Sequence, residues 1–216
     1  MSLFTMLFKT KKTMRRCLLV LLPFAATSGT SYSQTTTQIP IFNAGFEALV
    51  LNCDPGGGCW NGAIPGWQPD WFNTGSGGTF KPGPEQFPAG VPGGVNCGYA
   101  GTEPGGLGGI FQALTATLQA NTTYILHVSI GHRADEAFTG YVASLLALSV
   151  QVASDNSLNP APGTFLEDTI TYATGTAPAL LDQRLAISIK SVGTGQVDVD
   201  NVSPALCTPF DPPNLA

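Results

Sequence analysis

The chain has 216 residues, 43% of them hydrophobic and only 11% charged, with 26 glycines and 17 prolines. That hydrophobic share excludes a disordered polymer, and the length suits one domain of ordinary size behind a leader. Acidic residues outnumber basic ones, 14 to nine, which disfavours a polyanion such as nucleic acid as partner.

Lys9, Lys11, Lys12, Arg15 and Arg16 precede the apolar run Cys17 to Thr27, and Ser31-Tyr32-Ser33 offers small residues for cleavage before Gln34. This pattern reads as a secretory signal peptide over residues 1–33, so the mature protein is expected to be secreted, extracellular or periplasmic, and free of the membrane. Cleavage removes five of the basic residues and no acidic one, leaving four against 14 and a net charge of −10. Anionic lipid headgroups are therefore disfavoured partners too. The remaining chain reads as one monomer-sized domain over 34–206 with a C-terminal tail at 207–216.

The mature chain opens with a strand expected over 38–49, which contains Ile41 to Glu47, IFNAGFE. Residues 49–110 are punctuated by Gly and Pro, with short strands expected at 78–81, 95–100 and 108–115. From Thr123 to Ile130, Tyr124, Leu126, Val128 and Ile130 share one face, the period-two pattern of a half-buried strand. Tyr141 to Ser154 is rich in Leu and Ala, but its neighbours are strands, so it is read as two short strands around a turn. Glu167–Tyr172, Arg184–Lys190 and Gln196–Val202 alternate in the same way. About nine strands and no helix make an all-β antiparallel β-sandwich, with the jelly roll as the leading topology.

Four cysteines survive cleavage: Cys53, Cys59, Cys97 and Cys207. An even number in an exported chain points to disulfides. Cys53 and Cys59 flank a short glycine loop and pair easily; Cys97 with Cys207 follows by elimination, although three connectivities are formally possible. Zinc is disfavoured, because no C-x-x-C spacing and no neighbouring histidine is present.

The motifs I-F-N-A-G-F-E, I-P-G-W at 64–67, G-I-F-Q-A-L at 109–114, the T-Y-I-L-H-V strand and V-D-V-D-N-V occur in that order. Together they resemble the galactose-binding-like jelly-roll superfamily, in particular xylanase-associated carbohydrate-binding modules. They are also similar to exported bacterial proteins of the PEP-CTERM kind and to a plant cell-wall family. The ending PALCTPFDPPNLA has no apolar tail or sorting motif, a departure from the anchored PEP-CTERM members. The resemblance implies that first and last strands are neighbours and that Glu47 and Asp200 share one structural calcium. Two carboxylates held side by side repel unless a hard cation neutralises them. Asp198, on the same strand face as Asp200, could add a further ligand but is expected to be exposed.

For a ligand, the loop-rich half offers Trp60, Trp67, Trp71, Phe80 and Tyr99. Trp67 and Phe46 are expected in the core, Trp60 against the local disulfide, and Trp71 as the platform for a sugar ring. Arg133 and Asp135, in a loop after a core strand, could read hydroxyls or simply brace their turn. Gln112 could face a concave sheet surface. No nucleophile elbow is present, and the two histidines are not spaced to share one metal. Glu85, Glu103, Glu136 and Glu167 are expected to be ordinary exposed acids rather than a glycosidase pair. The sequence thus suggests a non-catalytic carbohydrate-binding protein with polysaccharide or glycan as partner. A matrix or surface protein and a glycoside hydrolase are the alternatives.

Overall fold

In the computed structural model, the described residues are 34–53, 56, 58–69, 76–101 and 108–209. The expected signal peptide, Trp71 and Glu103 lie outside them. Twelve strands follow in chain order: β1 (Gln34–Gln38), β2 (Cys59–Asn61), β3 (Gln68–Pro69), β4 (Ser76–Lys81), β5 (Cys97–Gly101), β6 (Gly109–Thr117), β7 (Thr123–His132), β8 (Tyr141–Ala147), β9 (Val150–Asp155), β10 (Thr164–Ala173), β11 (Arg184–Ser191) and β12 (Val197–Pro209). The larger sheet has the order β10-β7-β12-β5-β4-β2, with β1 also paired to β12; the smaller runs β3-β6-β11-β8-β9. Every pairing is antiparallel, and the described residues contain no helix. The all-β sandwich expected from periodicity is the observed fold.

The core fills the space between the sheets. β7 contributes Tyr124, Leu126, Val128 and Ile130, all at or below 1% exposure, as its alternation requires. Leu185, Ile187 and Ile189 of β11 answer from the other sheet. The Leu/Ala-rich segment is a hairpin of β8 and β9, turned by Leu148 and Ser149 at φ 47° and 61°. Two consecutive residues of positive φ match the twist of the flanking strands, which is why this segment turns rather than coiling into a helix. β12 runs through the expected domain end at 206 and pairs with β1 as far as Pro209.

The opening segment differs from expectation. Only Gln38 of the region 38–49 belongs to a strand; residues 42–49 form turns and bends. Asn43 and Phe46 sit at φ 54° and 60°, which breaks any extended run. The turn serves the core: Phe46 is fully buried and packs on Trp67 with ring centroids 5.3 Å apart. Its ring lies so close to Gly98 that a Cβ there would fall 2.5 Å from it. Phe46 and Trp67 are therefore core residues, as their apolar settings suggested.

Cys53 and Cys59 form a disulfide. The pairing of Cys97 with Cys207 does not occur; both are free and buried. The register explains this. Gly98 pairs with Val199, so Cys207 lies eight residues further along β12, roughly 25 Å away at strand rise.

Candidate functional site

The site begins with the alternation of β12. Val197 and Val199 point into the core, so Asp198 and Asp200 point to the opposite face of the larger sheet. That face is not open to water around Asp198. A second apolar cluster of Phe80, Phe87, Cys97 and Tyr99, packed on by Val91 and Phe165, covers it. Asp198 is consequently fully buried, against the expectation of an exposed side chain.

One oxygen of Asp198 is engaged and the other is not. Gln196 Nε2 donates to Oδ1 at 2.8 Å, and the Cys97 thiol approaches the same oxygen at 3.7 Å. Oδ2 has no hydrogen-bond partner among the described residues. Burial pushes the Asp198 carboxyl up to about 7. Cys97 is pushed well above the ordinary thiol range, first by burial and then by the charge of Asp198.

Arg133 orders this group from the loop after β7. Its Nε and Nη2 donate to the two carboxylate oxygens of Asp135, both at 2.9 Å, and its Nη1 donates to Gln196 Oε1 at 3.1 Å. A guanidinium can only donate, so the Gln196 carbonyl must face Arg133 and its amide nitrogen must face Asp198. Gln86 Nε2 donates to Asp135 at 2.9 Å and ties this loop to the 83–90 turn. Burial pulls the Arg133 pKa down, but the bond and charge of Asp135 outweigh it and leave a net rise. Arg133 in turn holds Asp135 below the usual carboxylate range. The guanidinium lies 4.8 Å from the centre of the Phe80 ring.

Beside this network is a hollow of about 210 Å³, walled by Trp60, Phe80, Tyr99, Arg133, Glu136 and Gln196. Trp60 and Tyr99 meet edge to face at 6.3 Å. Trp60 stands on β2, a three-residue strand that pairs with β4 and begins at the disulfide-bonded Cys59. It is 68% exposed, so it lines the hollow rather than packing away on the disulfide. The wall thus draws on β2, β4, β5, the loop after β7 and the approach to β12. What it presents is three aromatic rings set among a larger share of polar surface, with one guanidinium and one carboxylate in the wall.

Of the ligand-binding residues suggested by sequence, Arg133 and Asp135 belong to this region, and their ion pair braces the loop. Gln112 does not. It is buried on β6 in the other sheet, where it accepts from the Phe42 amide and donates to the carbonyls of Phe42 and Gly66. It fastens the opening turn to the sandwich. His132 bonds the Pro160 carbonyl, and His127 lies near Thr169 and Glu167, so neither histidine joins the site.

Glu47 and Asp200 do come to one place, the loop 93–96. Asp200 Oδ2 accepts from the Gly93 amide at 2.7 Å, and Glu47 Oε1 accepts from the amides of Val95 and Asn96 at 2.8 and 2.7 Å. Burial raises Asp200 to about 7, and the charge of Glu47 adds to the rise. In the same loop Asn96 Oδ1 is buried without a partner among the described residues. No group of three or more His, Cys, Asp or Glu side chains there or elsewhere in the described residues is arranged to hold a metal ion.

A family model described as HpiC1-like, HpiC1 cyclase, matches residues 37–203. An apo-form cyclase from Fischerella sp. is similar at 27% identity over 82% of this chain and 98% of that one, with a TM-score of 0.72. A Stig cyclase from Fischerella sp. TAU, solved with (3Z)-3-(1-methyl-2-pyrrolidinylidene)-3H-indole, is 28% identical over 82% of this chain and 100% of that one, also at 0.72. A cyclase from the same source, solved with 4-(1H-indol-3-yl)butan-2-one, shows the same identity and coverage at a TM-score of 0.69. Among curated proteins no match is found.

These findings correct the functional expectation. The matching family is one of cyclases, so the inference of a non-catalytic module is overturned. Two of the similar structures hold small indoles, and polysaccharide or glycan is withdrawn as the partner. The strand pattern and end-to-end motifs belong to a sandwich that hosts several activities, and they could not choose among them.

Proposed function

This chain belongs to the HpiC1-like family, and on that premise we propose that it is a cyclase, an enzyme that closes a ring in a small indole-type molecule seated in the hollow. The observation that carries this reading is the meeting, on one sheet face, of three aromatic walls with a buried acid. Trp60, Phe80 and Tyr99 offer ring faces and edges to a flat substrate. Asp198 supplies a proton. Its Oδ1 is occupied as an acceptor, which leaves Oδ2 to carry the hydrogen. Ring closure by an electron-rich indole moves electron density onto the acceptor half of the substrate, where the Asp198 proton is taken up, and leaves a cation on the indole that is discharged by loss of a proton to the Asp198 carboxylate. Asp198 is fully buried and does not itself line the hollow, whereas its partner Gln196 does, so the wall has to shift before the acid can meet a bound substrate.

Calorimetric titration with 4-(1H-indol-3-yl)butan-2-one is expected to show one saturable site, weakened about tenfold or more in Trp60→Ala by loss of an aromatic wall. No binding of this ligand would remove the reading.

Two further parts of the proposal concern stability and place. We assign a structural calcium to Glu47 and Asp200. The unpartnered Asn96 Oδ1 in the same loop supports this, because calcium takes carboxylate, amide and carbonyl oxygens together. The ion would neutralise the pair and tie the opening turn to β12. A chelator should then lower the melting temperature of the wild type but not of Glu47→Gln; an unchanged melt argues against the ion. Export is supported by the Cys53–Cys59 bridge, which persists in oxidising compartments.

A further inference from the structure

The charges around the hollow do not balance. Arg133 is the one cation among its described lining residues, and each of its three nitrogens already donates one bond, to Asp135 or Gln196. Asp135 alone cancels it. Glu136 is left over. It lines the hollow next to Arg133, with no hydrogen bond or ion pair to any described residue. Its charge reaches Arg133, where it helps to hold the guanidinium protonated. Around it stand the rings of Trp60 and Tyr99, and Phe80 already carries a cation on its face at 4.8 Å.

We propose that the hollow selects ligands bearing a positively charged nitrogen: an aromatic amine whose ring stacks on Trp60 while its ammonium group faces Glu136. This rests on the reading of the hollow as the ligand site and names the substrate class it takes. Aromatic faces carry partial negative charge, and in a wall partly shielded from water they attract a cation. The exposed carboxylate at the rim adds a direct ion pair to this attraction. An anionic ligand would meet the reverse. Arg133 has no charge to spare for it, Glu136 and Asp135 repel it, and the net charge of −10 on residues 34–216 disfavours its approach. A neutral ligand would gain the stacking and nothing from Glu136.

The test is a calorimetric series on the mature, disulfide-bonded protein with tryptamine, 3-ethylindole and indole-3-propionate, which share one ring system and differ in charge. Tryptamine is expected to bind about tenfold tighter than 3-ethylindole, and indole-3-propionate weakest. Glu136→Gln should bring tryptamine down to the neutral compound, and Glu136→Lys should invert the order. Glu136 is exposed, so neither change threatens the fold. Equal binding of tryptamine and 3-ethylindole, or an advantage for tryptamine that survives Glu136→Gln, overturns the charge selection and leaves the cyclase site standing. Failure of all three compounds and of 4-(1H-indol-3-yl)butan-2-one overturns the site itself.

Discussion

Two buried aspartates on different parts of the sandwich behave as opposites. Asp168, on β10, is 4% exposed, and the Tyr141 hydroxyl donates to it at 2.8 Å. The same hydroxyl reaches Asp155 at 3.3 Å, and Asp155 accepts from the amide and hydroxyl of Ser157. The group is closed, and every described partner is structural. Asp198 is buried more deeply, yet one of its oxygens is unpartnered and its neighbour Gln196 forms a wall of the hollow. A satisfied buried acid locks strands together, whereas an unsatisfied one beside a cavity is kept at a cost to stability that a chemical role explains.

The largest effect should separate these two residues directly. Asp198→Asn is expected to lower turnover of an indole substrate by about 100-fold or more, the usual contribution of a general acid. Asp168→Asn should leave turnover within about twofold of the wild type by the same scale. Equal losses in a product assay would erase the contrast. Next comes Tyr141→Phe, which strips the donor from Asp168 and should cost about 1–3 kcal/mol in a denaturant melt, with turnover retained. A comparable stability loss in Cys97→Ala would mean that the Asp198 group is structural as well.

Cys59→Ser opens a seven-residue ring, Cys53 to Cys59, and should cost about 2 kcal/mol at most. It should also weaken indole binding through β2 and Trp60, while leaving the melt of Tyr141→Phe unaltered in its difference from parent.

The smallest effect is a pH slope. Burial raises the Asp168 pKa above its ordinary 3.8, and the charge of Asp155 adds to the rise. The folded state therefore binds more protons than the unfolded chain above 3.8, so this group's contribution to stability falls as pH climbs through the raised value. Asp168→Asn should flatten that fall in melts taken from acid to neutral pH. Asp155 acts in the opposite sense. The Ser157 bonds lower its pKa, and its contribution is lost as pH drops below 3.8.

The strands were legible because alternation records which face is buried. Tyr124 to Ile130 and Leu185 to Ile189 needed nothing more. Ile41 to Glu47 misled because Asn43 and Phe46 take left-handed backbone that no apolar pattern encodes. Asp198 was assigned the correct face and the wrong exposure. Alternation opposes it to Val197 and Val199, but only the folded positions of Phe80, Phe87 and Tyr99 show that this face is covered. The hollow was out of reach for a similar reason. Trp60, Tyr99, Arg133 and Gln196 are far apart in the chain and meet only through the order β7-β12-β5-β4-β2. Gln112 looked like a surface reader because its bonds run to backbone groups about 46 and 70 residues away.

The most direct measurement is an amide and side-chain NMR map of the ¹⁵N-labelled protein titrated with 4-(1H-indol-3-yl)butan-2-one. The account predicts saturating shifts at the Trp60 indole, Tyr99, Arg133 and Gln196, with Gln112 and the Tyr141–Asp168 group unmoved. Saturating shifts centred on Gln112 or on Tyr141, with Trp60 silent, would contradict it.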